Sequence, residues 1–167
     1  MKIAIILGTS KTNGNTHQLA EAFCQLYSSE IYSLENFKLS SFDYAHKNKN
    51  DDFIPLIQKL NSFDHWVFAT PVYWYAMSSQ MKTFFDRLSD LITIQKNEGR
   101  KLHGKSCSLL VTGSEELLPL SFEQPFILTA KYFGMDYKGT YYSQCSPNFE
   151  KQKSLAVINS YILQITS

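Results

Sequence analysis

Cysteine is scarce in this sequence, and none of the three, Cys24, Cys107 and Cys145, belongs to a C-x-x-C pair. An odd, widely spaced set argues against a disulfide scaffold, a zinc site or an iron–sulfur cluster. It suits buried thiols kept in a reducing compartment. Charge is scarce as well: 19% of residues are charged, and 16 Lys+Arg against 15 Asp+Glu leave a net charge of +1. That balance gives no bulk attraction to nucleic acid or an anionic membrane. Long apolar runs are missing. The longest early one, Ile3 to Leu7, stops at Gly8 and is too short for a signal-peptide core or a membrane span. The expectation is a cytoplasmic protein with no nucleic-acid and no membrane partner. Two phosphate-binding signatures are missing too. Without G-x-x-x-x-G-K-[ST] or G-x-G-x-x-G, neither nucleoside triphosphate hydrolysis nor a dinucleotide Rossmann site is expected. His17, His46, His65 and His103 show no metal-ligand spacing, so no metal is expected.

Apolar residues are plentiful, at 44% of 167 residues with 14% aromatic. That is enough for one domain over residues 1–167 with its own core. Short β-branched runs alternate with helical periodicity. Strands are expected at 3–7, 31–34, 65–69, 106–112 and 136–142. A helix follows from about Thr16. A polar loop occupies 35–50, and Asp51 or Asp52 caps the next helix. Met77, Met81, Phe84, Phe85, Leu88 and Leu91 repeat at helical spacing, which predicts one long helix. Another helix spans 122–133 and closes at Gly134, and a last one opens at Ser146-Pro147. Five strands, each followed by a helix, imply a parallel sheet covered on both faces. Five such units are too few for an eight-fold barrel. The fold class is therefore an α/β doubly wound sandwich of three layers, in which ligands bind beyond the carboxyl ends of the strands.

Two strand-end loops carry candidate chemistry. After strand one come Gly8, Thr9, Ser10, Lys11, Thr12, Asn13, Gly14, Asn15 and Thr16. Hydroxyls, side-chain amides and the free amides of a helix start form a donor set suited to a terminal monophosphate. After strand three come Thr70, Pro71, Val72, Tyr73, Trp74 and Tyr75. Their flat faces suit a planar heteroaromatic ring, or packing against the next helix or a partner subunit. Lys82 and Asp86, four apart, read as a surface ion pair.

Together these segments resemble the NAD(P)H-dependent flavin mononucleotide (FMN) reductase family of the flavodoxin-like superfamily. The resemblance rests on "GTSKTNGNTHQLA" from Gly8 and "TPVYWYAMSSQMKTFFDRL" from Thr70, and more weakly on "CSLLVTG" from Cys107 and "YFGMDYKGTYY" from Tyr132. It implies a flavodoxin-like five-stranded parallel sheet of order 2-1-3-4-5. It also implies bound FMN that takes hydride from NADH or NADPH. The electrons would pass to a small acceptor such as a quinone, an azo or nitro compound, or free flavin. By position, Ser10, Thr12, Asn15 and Thr16 would hold the phosphate. Pro71, Val72, Tyr73 and Trp74 would line the ring, and Gly113 and Ser114 would approach its other edge. A homodimer is implied, its second subunit helping to roof the ring. The flavin carries the chemistry, so no catalytic side chain is assigned. Many relatives have arginine where this chain has Lys11, which keeps the charge but loses the bidentate fork. The alternatives are a flavodoxin-type electron carrier and a non-redox flavin-binding module. A carrier usually needs an acidic docking face, which a net charge of +1 does not offer.

Overall fold

The structure is a computed structural model that describes residues 1–145 and 148–167, the side chains of Lys151 and Lys153 apart. Five strands, β1 (Ile3–Leu7), β2 (Ser29–Ser33), β3 (His65–Pro71), β4 (Ser106–Gly113) and β5 (Asp136–Gln144), form one sheet. Its order is β2-β1-β3-β4-β5 and every pairing is parallel. This is the flavodoxin-like order that the resemblance implied. The helices are α1 (Asn15–Leu26), α2 (Phe53–Leu60), α3 (Ser79–Arg87), α4 (Asp90–Thr93), α5 (Lys96–Arg100), α6 (Gln124–Phe133) and α7 (Lys151–Thr166).

The layering follows from alternation along buried strands. Ile3, Ile5 and Leu7 of β1 face one way and meet Leu19, Ala20 and Phe23 of α1 and Ile158 and Ile162 of α7. Ala4 and Ile6 face the other way, into Phe53 and Leu56 of α2, Phe84 of α3 and Phe126 of α6. Every β1 residue is buried, so that strand carries no polar face at all. Burying an Ile or Leu in this way contributes about 1.5–3 kcal/mol.

Several expected boundaries move. β2 begins at Ser29, and Leu34 starts a 3-10 turn (Leu34–Asn36). β3 runs through Pro71, because a proline at a strand's last position removes no needed donor and the ladder resumes with Val72 N–H donating to Thr112 O. The long helix expected from Met77 to Leu91 is two, α3 and α4. Ser78 caps α3 by accepting from Met81 N–H, and two i→i−3 bonds at Leu88 and Ser89 tighten the chain after Arg87. Asp52 precedes α2 without capping it, since its carboxylate accepts from Lys38 N–H; Asp51 accepts from Phe53 N–H instead. Gly134 closes α6 with φ +69°, a left-handed position that glycine takes without strain. The expected start of the last helix at Ser146-Pro147 lies outside the described residues.

Candidate flavin site

The register places the carboxyl ends of β1, β3 and β4 side by side: Leu7 pairs with Ala69, and Pro71 with Thr112. The loops leaving them therefore share one crevice. Ser78 ties the first two together. Its backbone N–H donates to Thr70 Oγ1, and its hydroxyl donates to Gly8 O at 2.8 Å.

The loop after β1 turns through Asn13 at φ +58°, a conformation that asparagine tolerates better than most residues and that Gln18 Nε2 steadies by donating to Asn13 O. Gly14 then occupies the N-cap of α1. Among the described residues no side chain caps this helix, and its first turn contains no acidic residue. First-turn amides have no acceptor within their own helix, so this terminus is suited to an anion. The side chains around it are partly engaged. Asn15 Oδ1 accepts from Phe149 N–H at 3.1 Å. Thr16 Oγ1 shares a buried 2.7 Å hydrogen bond with Thr112 Oγ1 of β4. Ser10 pairs with the side chain of Gln80 at the start of α3, and the Thr12 hydroxyl donates to the Glu35 carboxylate. His17 lies beside Glu21, 3.7 Å away.

After β3, the Tyr73 and Ala76 backbones exchange both hydrogen bonds around Trp74 and Tyr75. These two have φ +48° and +65°. Positive φ at both central positions is the geometry of a type I′ hairpin turn, normally filled by Asn-Gly. Bulky side chains there cost about 1–2 kcal/mol each. The tip points two rings into solvent: Trp74 is 93% exposed and Tyr75 65%.

The exit of β4 approaches from the other side. A Cβ on Gly113 would lie 2.6 Å from the Tyr142 hydroxyl, so only glycine fits without a shift. That hydroxyl donates to Glu115 O, and Gln144 Nε2 donates to Ser114 O. Glu115 and Glu116 are exposed. Burial raises the pKa of the nearby Cys145 above the usual thiol value, which leaves it protonated at neutral pH.

A cavity of about 250 Å³ joins these parts. Of the residues singled out from the sequence, Asn15, Thr16, Pro71, Val72, Tyr73, Gly113 and Ser114 line it. Ser10, Thr12 and Trp74 are not in its wall. Trp74 instead borders an adjoining cavity of about 240 Å³ with Tyr75, Pro119 and Tyr142, which shares Val72, Gly113 and Ser114 with the first. Thr9, Lys11, Thr112, Cys145 and Asn148 also line the first cavity and were not assigned from sequence. Thr112 could have been found, since it immediately precedes the β4 exit glycine. Cys145 and Asn148 follow the end of β5, whose nearness to α1 no local pattern reveals. The donor set is neutral apart from Lys11, and it fits the phosphate of FMN. The two adjoining cavities, walled by Pro71, Val72, Tyr73 and Gly113, fit its ring.

Residues 1–124 match the family described as NADPH-dependent FMN reductase. The chain is 28% identical over 149 residues to Bacillus subtilis (strain 168) YwqN, a protein named as an NAD(P)H-dependent FMN-containing oxidoreductase; the match covers 83% of this chain and 82% of that one. Among solved structures, the Trp repressor binding protein of Bacillus subtilis superposes with a TM-score of 0.76 at 23% identity, over 96% of this chain and 97% of that chain. General stress protein 14 of Treponema denticola, solved in complex with FMN, superposes at 0.72 with 18% identity, over 99% and 98%. With the family match spanning most of its length, the chain belongs to the NADPH-dependent FMN reductase family and is an FMN-dependent NAD(P)H oxidoreductase of flavodoxin-like fold.

Proposed function

We propose that FMN seats its phosphate at the start of α1, against Asn15, Thr16 and the loop residues Ser10 and Thr12. Its ring lies between Pro71, Val72, Tyr73 and Trp74 on one side and Gly113 and Ser114 on the other. The observation that carries this reading is the uncapped, acid-free start of α1 opening onto a cavity walled by all three strand-end loops. Bound FMN supplies hydride acceptance from NADH or NADPH and onward electron transfer. The chain's own residues bind and orient it. Helix amides and Lys11 hold the negative end, and the closely packed backbone at Gly113 lets the ring approach. The exposed rings of Trp74 and Tyr75 offer a stacking surface for a flat acceptor: a quinone, an azo or nitro compound, or free flavin.

The test is anaerobic addition of NADH or NADPH to the FMN-loaded protein. Loss of the flavin's visible absorbance within seconds is expected; colour that persists with both donors overturns the reductase reading in favour of a carrier or a non-redox module. The phosphate seat has its own test in Asn15→Asp. Aspartate retains the oxygen that accepts from Phe149 N–H, so the local fold is kept, while a negative charge replaces the amide group. FMN should bind about tenfold more weakly, as measured by quenching of flavin fluorescence. Unchanged affinity moves the phosphate elsewhere.

The same reading includes one domain over residues 1–167, a homodimer and a cytoplasmic location. Ile92, Leu128 and Tyr132 are exposed together along a cleft of about 320 Å³ that lies away from the three strand-end loops, with Phe133 in its wall. Leu117 and Leu120 are exposed close to the ring cavity. Apolar surface gathered like this supports a covering second copy. Cys24, Cys107 and Cys145 are all free thiols, which supports a reducing compartment. Among the described residues no helix is long and apolar enough to cross a membrane.

A further inference from the structure

Glu35 sits just past the end of β2, in the 3-10 turn, and the Leu7–Ser33 register sets that turn beside the loop after β1. Its two carboxylate oxygens lie 3.4 and 3.2 Å from Thr12 Oγ1, whose hydroxyl donates to them. The contact places a negative charge on a loop that otherwise offers an anion neutral donors, helix amides and Lys11. We propose that Glu35 is a specificity-determining residue of the flavin site: it weakens the hold on the phosphate group and so narrows the preference for FMN over uncharged riboflavin. The inference rests on the phosphate seat proposed above.

The physical argument has two parts. A hydroxyl has one proton. While Thr12 donates it to Glu35 it cannot donate it to a phosphate oxygen, so the two acceptors compete. A phosphate held by the same hydroxyl also lies within about 6 Å of the carboxylate, two hydrogen-bond lengths. A dianion facing a single charge at that distance in a water-like medium loses about tenfold in affinity at low ionic strength, and about threefold at physiological salt. Among the described residues, the charges on or beside the loop include Lys11, which favours the phosphate, the His17–Glu21 pair on α1, and Glu35 itself; Lys82 and Asp86 on α3 pair with each other. Lys11 and Glu35 thus act in opposite senses on a phosphate held at Thr12.

Binding of FMN and of riboflavin, each followed by fluorescence quenching at low and at physiological salt, tests this in wild type, Glu35→Gln and Asn15→Asp. Glu35 is exposed, so its replacement leaves the core untouched. Glu35→Gln should bind FMN about tenfold more tightly at low salt, with the gain shrinking as salt rises, and should leave riboflavin affinity unchanged. Equal gains for both ligands would indicate a general change in the pocket and overturn the proposal. So would unchanged FMN affinity in Glu35→Gln. If Asn15→Asp still weakens FMN selectively in that case, the phosphate seat stands and only the role of Glu35 falls. If neither variant alters the FMN-to-riboflavin ratio, the seat falls with it.

Discussion

Replacing Arg87 by methionine should cost about 3–5 kcal/mol of stability, seen as a lower urea midpoint with little change in slope. The side chain is fully buried. Its Nε donates to Asp90 Oδ2 at 2.8 Å, and two further nitrogens donate to the Asp51 carboxylate at 2.5 and 3.1 Å. One of these also reaches Ser40 O, and the guanidinium lies 4.7 Å from the Phe53 ring centre. Burial alone would raise the pKa of Asp51, but Arg87 and two backbone N–H donors outweigh it and hold the pKa below the usual carboxylate value. Removing the cation leaves two carboxylates, Asp51 and the fully buried Asp90, without their partner. Asp90 would keep His46, whose Nδ1 is 2.9 Å from Oδ1. Arg87→Lys keeps the charge but loses the planar fork that reaches both acids, so it should recover only part of the loss. A loss below about 1 kcal/mol in Arg87→Met would show that the surrounding apolar residues repack in place of the ion cluster. The cluster also has a positional consequence. Asp51 and Ser40 belong to the segment between β2 and α2, and Arg87 ties both of these points to the end of α3.

The elements and cavity that the sequence disclosed are those set by short-range chemistry. β1 was legible because five consecutive apolar residues end at a glycine. α6 was legible because its apolar positions repeat and Gly134 must be left-handed. Seven of the ten assigned site residues line one cavity, because strand-end loops in a doubly wound sheet have a fixed place. What stayed hidden depends on partners distant in the chain. The spacing from Met77 to Leu91 continues across Leu88 and Ser89, yet the helix ends at Arg87, where the guanidinium turns to acids 36 residues back and three ahead. Thr12 carries a suitable hydroxyl, but nothing near it in sequence indicates that Glu35 accepts its hydrogen bond. The hairpin at Trp74 and Tyr75 reverses usual turn preferences, so no turn signal announces it. The Lys82–Asp86 pair, by contrast, needs only helical spacing, and its 2.6 Å contact is exposed as expected.

The same distinction applies to His65, which the sequence shows only as a histidine opening a strand. Between pH 7 and pH 5 it should cost the fold about 2 kcal/mol. The ring is fully buried, with Nδ1 2.7 Å from Ser106 Oγ and Nε2 2.7 Å from Ser108 Oγ. Burial first, and the charge of Lys138 second, push its pKa down to about 4, with Asp136 opposing. In the unfolded chain the imidazole titrates near the ordinary value of about 6.5. Above that pH it is neutral in both states and contributes no slope. As pH falls from about 6.5 towards 4, the unfolded chain takes up a proton that the folded protein refuses, and unfolding gains up to about 1.4 kcal/mol per pH unit. Below pH 4 both states are protonated and the slope vanishes. His65→Gln, which keeps hydrogen-bonding groups for the serines, should lower stability at pH 7 yet flatten its fall towards pH 5 when urea midpoints are compared at the two pH values. Carboxylates held below their usual pKa, Asp51 and Glu98 among them, lose their contribution only at lower pH, so they add little to the slope between pH 7 and 5, and the comparison with His65→Gln reads the share of His65. A variant as pH-sensitive as wild type would assign the slope to another group and return His65 to a purely packing role between β3 and β4.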